Sequence, residues 1–174
     1  AFNQLESGKN SIQNILGVVE SRISIYLGKL LFILFLAAIN LMLYELCFYI
    51  GVNLFLDINI FSLNLYIGIF IIILLSNLFI YSLHLAVSFR FGATISVLLG
   101  IAGTILAGYF QTAIGDKIWP IIPWECGIRF LENYFNVSNS PIIDGIVSMV
   151  IFTSIILILS ILWFNRWDGK ITQE

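Results

Sequence analysis

The sequence predicts an all-α fold, a polytopic helical membrane protein, and three observations carry that prediction. Residues 58–89, 91–115 and 145–165 contain no Asp, Glu, Lys or Arg, and Glu45 is the one charged residue between Lys29 and Asp57. Hydrophobic residues make up 60% of the chain against 10% charged, and mean hydropathy is +1.01. Soluble domains carry roughly 25% charge, because one face of each element meets water. A bilayer makes no such demand: about 20 apolar residues, rising about 1.5 Å each, cross about 30 Å of hydrocarbon.

The elements follow in order. Residues 1–22 are polar, with Ile12, Ile15, Leu16 and Val19 forming an i, i+3, i+4, i+7 stripe. That spacing predicts an amphipathic helix that lies on the membrane or docks in a partner's groove. The transmembrane domain covers 23–165, with spans at about 24–50, 65–88, 92–113 and 142–164. Residues 51–64 form a short loop containing Asp57, and Phe89-Arg90-Phe91-Gly92 a tight turn at the opposite side. Residues 114–141 form a long second loop, and 166–174 a tail.

Lysine and arginine set the orientation. With the N-terminus inside, Lys9, Arg22, Lys29, Arg90, Arg166 and Lys170 fall on the cytoplasmic side, and Lys117 and Arg129 outside. The positive-inside rule favours that arrangement, so both termini are expected in the cytoplasm. Trp119 and Trp124 then belong to one interfacial belt, Trp163 and Trp167 to the other. Ile and Asn richness points to a low-GC bacterial genome, hence a bacterial cell membrane. The chain opens at Ala1 without a signal-peptide pattern, and upstream sequence is expected to be missing.

Composition also excludes functions. The net charge of -2 offers no clustered basic face for nucleic acid. Cys47 and Cys126 fit no metal spacing, a disulfide between them is not expected, and His84 is the sole histidine. No metal site follows from such a set. An intramembrane protease, which needs paired acids and histidines within spans, is excluded on the same ground.

Four features are candidates for mechanism. Gly92, Ser96, Gly100, Thr104 and Gly108 recur every four residues, joined by Gly103. Small residues at that spacing let backbones approach, within the chain or at a subunit interface. Asn77, Tyr81, His84 and Ser88 share one helix face, as interhelical hydrogen-bond partners or as the lining of a substrate path. Glu45 is expected near the outer headgroups. In 114–141, Trp119-Pro-Ile-Ile-Pro-Trp124 frames a double turn. Pro123 opens a short helix with Trp124, Ile128, Leu131 and Phe135 on its apolar face and Arg129 and Glu132 on its wet side. This segment reads as a re-entrant hairpin or interfacial cap.

Phe2-Asn-Gln-Leu-Glu-Ser-Gly-Lys-Asn-Ser-Ile followed by Glu20-Ser-Arg-Ile-Ser-Ile-Tyr-Leu-Gly-Lys29 resembles the coupling-helix region of ABC-2-type transporter permeases. Gly115-Asp-Lys-Ile-Trp-Pro-Ile-Ile-Pro-Trp124 and Phe164-Asn-Arg-Trp-Asp-Gly-Lys170 are similar to the permease subunits that protect lantibiotic producers. The resemblance implies that the four spans are the last four of six. It implies an ATPase-docking helix bearing Glu6, Lys9, Ile12, Ile15, Leu16, Val19 and Arg22. It also implies partnership with an ABC ATPase, a second permease subunit of the same or a related kind, membrane lipid and a peptide substrate. No Gly-x-x-x-x-Gly-Lys-[Ser/Thr] loop occurs, so the chain is not expected to be an enzyme or to bind a cofactor. ATP and magnesium belong on the ATPase subunit. A cationic amphipathic peptide suits a surface of aromatics and acids, for which Glu45, Asp116, Trp119, Trp124 and Glu125 are candidates, with Asn77, Tyr81 and His84 in the path. The alternatives are an ABC-2 permease for a drug, lipid or polysaccharide, and a non-transporting immunity or scaffold protein.

Overall fold

The computed structural model describes residues 22–56, 62–112, 114–137 and 141–167. Residues 1–21 lie outside them, so the amphipathic stripe of Ile12, Ile15, Leu16 and Val19, with Glu6 and Lys9, has no structural counterpart here. Every described element is helical: α1 (Arg22–Leu56), α2 (Leu63–Ser76), α3 (Leu78–Phe91), α4 (Ala93–Phe110), α5 (Pro123–Tyr134) and α6 (Ile142–Arg166). Two single 3₁₀ turns, Gly115–Lys117 and Trp119–Ile121, precede α5. Among the described residues, four helices are long and apolar enough to cross a membrane: Arg22–Phe55, Leu63–Phe91, Ala93–Phe110 and Ile142–Arg166.

The spans differ from expectation in detail. α1 continues to Leu56, because the stretch from Ile50 to Leu56 holds no proline, and its single glycine, Gly51, weakens a helix without ending it. The second span is interrupted at Asn77, where φ is -86° and ψ -2°. Asn77 Nδ2 donates to Ile73 O at 2.8 Å and Ser76 Oγ to the same carbonyl at 3.2 Å. Side chains that bond the preceding turn loosen the helical ladder there. The reversal between α3 and α4 needs a left-handed residue, and Gly92 supplies it at φ 89°.

The ends of α1, α3 and α6 meet in one aromatic core of Tyr26, Leu30, Leu85, Phe89, Phe164 and Trp167. Its ring centroids lie 5.0 Å apart for Phe89 and Phe164, 5.5 Å for Phe89 and Trp167, and 5.7 Å for Tyr26 and Phe164. Trp163 stacks on Trp167 at 5.4 Å, so Trp167 is core, not the belt residue that its position suggested. Arg22 Nη1 donates to Asn165 O and Trp167 O, both at 3.0 Å. A cation there neutralises the carbonyl end of α6. Lys29 Nζ lies 5.4 Å from the Phe89 ring centroid. The two described chain ends therefore share one end of the bundle, with Lys29, Arg90 and Arg166.

The far end has a second core of Trp119, Cys126 and Met149, flanked by Phe79 and Phe130. Trp119 reaches it because Gly145 of α6 has no side chain: a Cβ there would occupy the space of the Trp119 ring. α5 lies across this end, against α2, α4 and α6. Pro123 starts it with a φ already helical and no amide hydrogen to lose.

Candidate functional site

The charged residues of the far end converge on Arg129. Its Nε donates to Glu125 Oε1 at 2.8 Å, one helical turn back on α5. Its Nη2 bridges Asp116 Oδ1 at 2.9 Å and donates to Phe110 O at 3.2 Å, while Nη1 reaches Glu132 Oε2 at 3.5 Å. One guanidinium thereby ties the 3₁₀ turn, the last turn of α4 and α5 together. Its planar fork of five donors suits several acceptors at once. Gln111 Nε2 donates to Glu132 Oε1 at 3.5 Å, extending the network along the α4 end.

Burial divides this cluster. Glu125 is 0% exposed and Arg129 5%, whereas the Asp116 side chain is 59% exposed. Glu125 Oε2 is buried without a hydrogen-bond partner among the described residues. Burial pushes the Glu125 carboxyl above its ordinary value, against the opposing pull of Arg129. Burial and the neighbouring Glu125 charge push the Cys126 thiol up to about 12, so Cys126 is a packed side chain without thiolate chemistry. Three carboxylates face one guanidinium, and with Lys117 beside Asp116 the cap carries one surplus negative charge with Glu125 ionised and none with it protonated.

These positions correct several expectations. Arg129 is not on a wet side of α5: the surface it faces carries Asp116 and the Phe110 carbonyl, which a buried guanidinium satisfies. Glu125 is not an outer surface residue, since it turns inward to Arg129. Trp119 is 0% exposed, because Gly145 opens a slot for it. Trp124 is half-buried, edge-on to Phe79 at 6.1 Å, in space that a side chain at Gly103 would fill. Asp116 alone of this outer set is both exposed and charged. Glu45, placed near the outer headgroups by counting 16 residues up from Lys29, stands about 16 Å before the end of α1, at about 1.5 Å per residue. Its Oε1 is buried without a partner among the described residues.

The two polar and small-residue patterns within the spans prove to be halves of one contact. His84 Nδ1 lies 2.8 Å from Ser96 Oγ, which donates to His84 O at 3.2 Å. With the Ser96 hydroxyl donating to that carbonyl, both contacts are satisfied by the tautomer that carries its hydrogen on Nδ1. A Cβ at Gly100 would come 3.1 Å from His84 Cε1, so Gly100 gives the imidazole its room. Gly103 receives Trp124 in the same way. Thr104 instead returns its hydroxyl to Gly100 O at 2.9 Å and is exposed, and nothing lies within 4 Å of a Cβ built on Gly108. Asn77 bonds its own helix, Tyr81 is half-buried, and neither joins the His84 pair.

Beside α5 a groove of about 640 Å³ opens between α2 and α6. Its lining is mostly apolar, with Ile71, Leu75, Ile146, Met149 and Val150 among it, and includes no charged residue. Tyr134 roofs it, lying in space left free at Gly68, with its hydroxyl 3.4 Å from Asn64 O. Comparison with protein-family models, with curated proteins and with solved structures finds no match for this chain.

The hub escaped the sequence reading, although a signal was present. Glu125 and Arg129 are four apart and Arg129 and Glu132 three apart, the two spacings that bring side chains together on a helix. The choice of face went wrong because charge was assigned to water.

Proposed function

We propose that this chain is the membrane-embedded permease subunit of an ABC-2-type transporter that expels a cationic antimicrobial peptide, a lantibiotic, from its producer's membrane. The observation that supports this reading best is the far-end cap, in which a helix lies across the spans and gathers Asp116, Glu125 and Glu132 around Arg129. The exposed Asp116 carboxylate at its rim is the charge that a cationic peptide arriving at this surface would meet. The shared position of Arg22 and Trp167 fits a topology with both tails on the cytoplasmic side. The N-terminal resemblance supplies the motor: a separate ATPase grips residues 3–22, and its closure tilts α1. On this reading ATP is hydrolysed on the partner, and this chain is no enzyme.

The uncharged groove between α2 and α6 favours a second reading, in which the same architecture exports a lipid-like substrate. The experiment is purification of the tagged chain from its native membrane, with the associated proteins identified. An ATPase is expected to accompany the wild type and to be lost when Ile12, Ile15 and Leu16 are each changed to Asp. Unchanged recovery of the ATPase with that variant overturns the docking assignment. Peptide tolerance of cells with and without the chain then separates the substrates: tolerance that does not depend on it removes the lantibiotic.

A further inference from the structure

The groove between α2 and α6 is as deep as one leaflet of a bilayer. Asp144 and Arg166 are the charged residues at the two ends of α6. At about 1.5 Å per residue they stand about 33 Å apart, one thickness of hydrocarbon. On the same scale Ser154 lies about 15 Å from Asp144, which puts the foot of the groove close to the bilayer midplane.

The groove is roofed and opens sideways. α6 packs on α3 and α2 on α1, leaving a gap between α2 and α6 that α5 bridges at the far end. Phe130, Asn133 and Tyr134 of α5 belong to the lining. Tyr134 fills the space at Gly68, about 4.5 Å nearer the surface than Ile71 at about 1.5 Å per residue. Leu75 and Val150, on the two walls, are 62% and 61% exposed, so the open side faces lipid. A further spanning helix is about 10 Å wide and runs on to the surface, and α5 stands in its way there. A flexible chain enters beneath the roof from the side.

We infer that this groove holds one acyl tail of a phospholipid from the leaflet on the cap side, with the lipid's ester groups at Asn133 and Tyr134. The lining carries no charge, and about 640 Å³ falls within the about 300–1,000 Å³ of small-molecule sites. Among its hydroxyl groups, Ser76 returns its own to Ile73 O at 3.2 Å, and Thr153 and Ser154 stand at the foot. An empty groove forfeits dispersion contacts along both helices. A tail inside it meets α2, α6 and the underside of α5, whereas a tail elsewhere on the bundle meets one face. Tyr134 and Asn133 offer a phenol and an amide at the depth of the ester groups, where tyrosine is commonly found. The inference holds whichever substrate is carried.

Photolabelling tests it. The protein is purified from its native membrane with whatever accompanies it, then reconstituted in phosphatidylcholine vesicles containing a phospholipid with a diazirine in one tail. After illumination, adducts are expected to concentrate on residues 71–78 and 146–154. Val150→Trp, which fills the groove, should lower them at least about fivefold, the lower end of what overpacking does to an equilibrium. Ile151→Trp, on the neighbouring face and 50% exposed, should leave them unchanged. Melting temperatures check that both variants fold, and the adduct map of the unaltered protein decides by itself if they do not. Adducts spread evenly over every lipid-facing residue, adducts indifferent to Val150→Trp, or a groove without adducts because another span or subunit fills it would each overturn the inference. Peptide tolerance does not enter this readout, so failure here leaves the proposed transport standing.

Discussion

Arg129 donates its Nε hydrogen to Glu125 Oε1 at 2.8 Å, with Glu125 fully enclosed beneath the far-end cap. The same guanidinium holds Asp116, Glu132 and the Phe110 carbonyl, so one side chain carries the polar ties between α5, the 3₁₀ turn and the end of α4. Breaking a buried ion pair from one side leaves the other charge stranded, at about 3–5 kcal/mol. Arg129→Ala is expected to destabilise the detergent-solubilised protein by that amount and to expose α5 to protease. Arg129→Lys restores the charge without the fork and should recover only part of the loss. A melting temperature unchanged in Arg129→Ala would contradict the hub.

Glu125 gives the cap a pH dependence of definite sign. Burial raises its proton affinity in the folded state, so the folded chain holds that proton more tightly than the unfolded chain. The associated stability is complete below the ordinary carboxylate value of about 4.3 and is lost as pH rises through the raised value. Glu125→Gln mimics the protonated acid and removes the titration. The stability of wild type relative to Glu125→Gln should therefore fall as pH is raised from about 4, measured by thermal melts of both proteins. A difference that grows with pH would reverse the assignment.

Gly103 and Trp124 test the contact between α4 and α5. A side chain at Gly103 meets the Trp124 indole, and overpacking of this kind costs about 1–3 kcal/mol. Gly103→Val should lower the melting temperature, whereas Gly108→Val, where a Cβ meets nothing within 4 Å, should leave it unchanged. Equal effects at both positions would mean that α5 does not rest there.

Arg22 closes the opposite end. Its two bonds to Asn165 O and Trp167 O are charge-assisted, each worth about 1.5–3 kcal/mol. Arg22→Ala is expected to release the end of α6, raising amide hydrogen exchange at residues 164–167. Unaltered exchange there would show that the aromatic core alone holds the two ends.

The spans were legible because the hydrocarbon imposes a rule that single residues obey: charge is absent from 58–89, 91–115 and 145–165. Gly92 was legible as a turn, although its φ of 89° was not. Pairings were harder. His84 and Ser96 were each singled out, on different grounds, without any sign that they face one another, because helix spacing gives the face and not the neighbour. The far end misled most. Trp119 and Arg129 resemble interfacial residues by type, and only the slot at Gly145 and the acceptors at Phe110 and Asp116 turn them inward.

Thiol labelling of sealed cells tests the membrane arrangement most directly. In a Cys47→Ser, Cys126→Ser background, Lys117→Cys should react with a membrane-impermeant maleimide added outside, and Lys170→Cys only after permeabilisation. Labelling of Lys170→Cys on sealed cells, or protection of Lys117→Cys, would contradict a four-span bundle with its acidic cap outside and its tails in the cytoplasm.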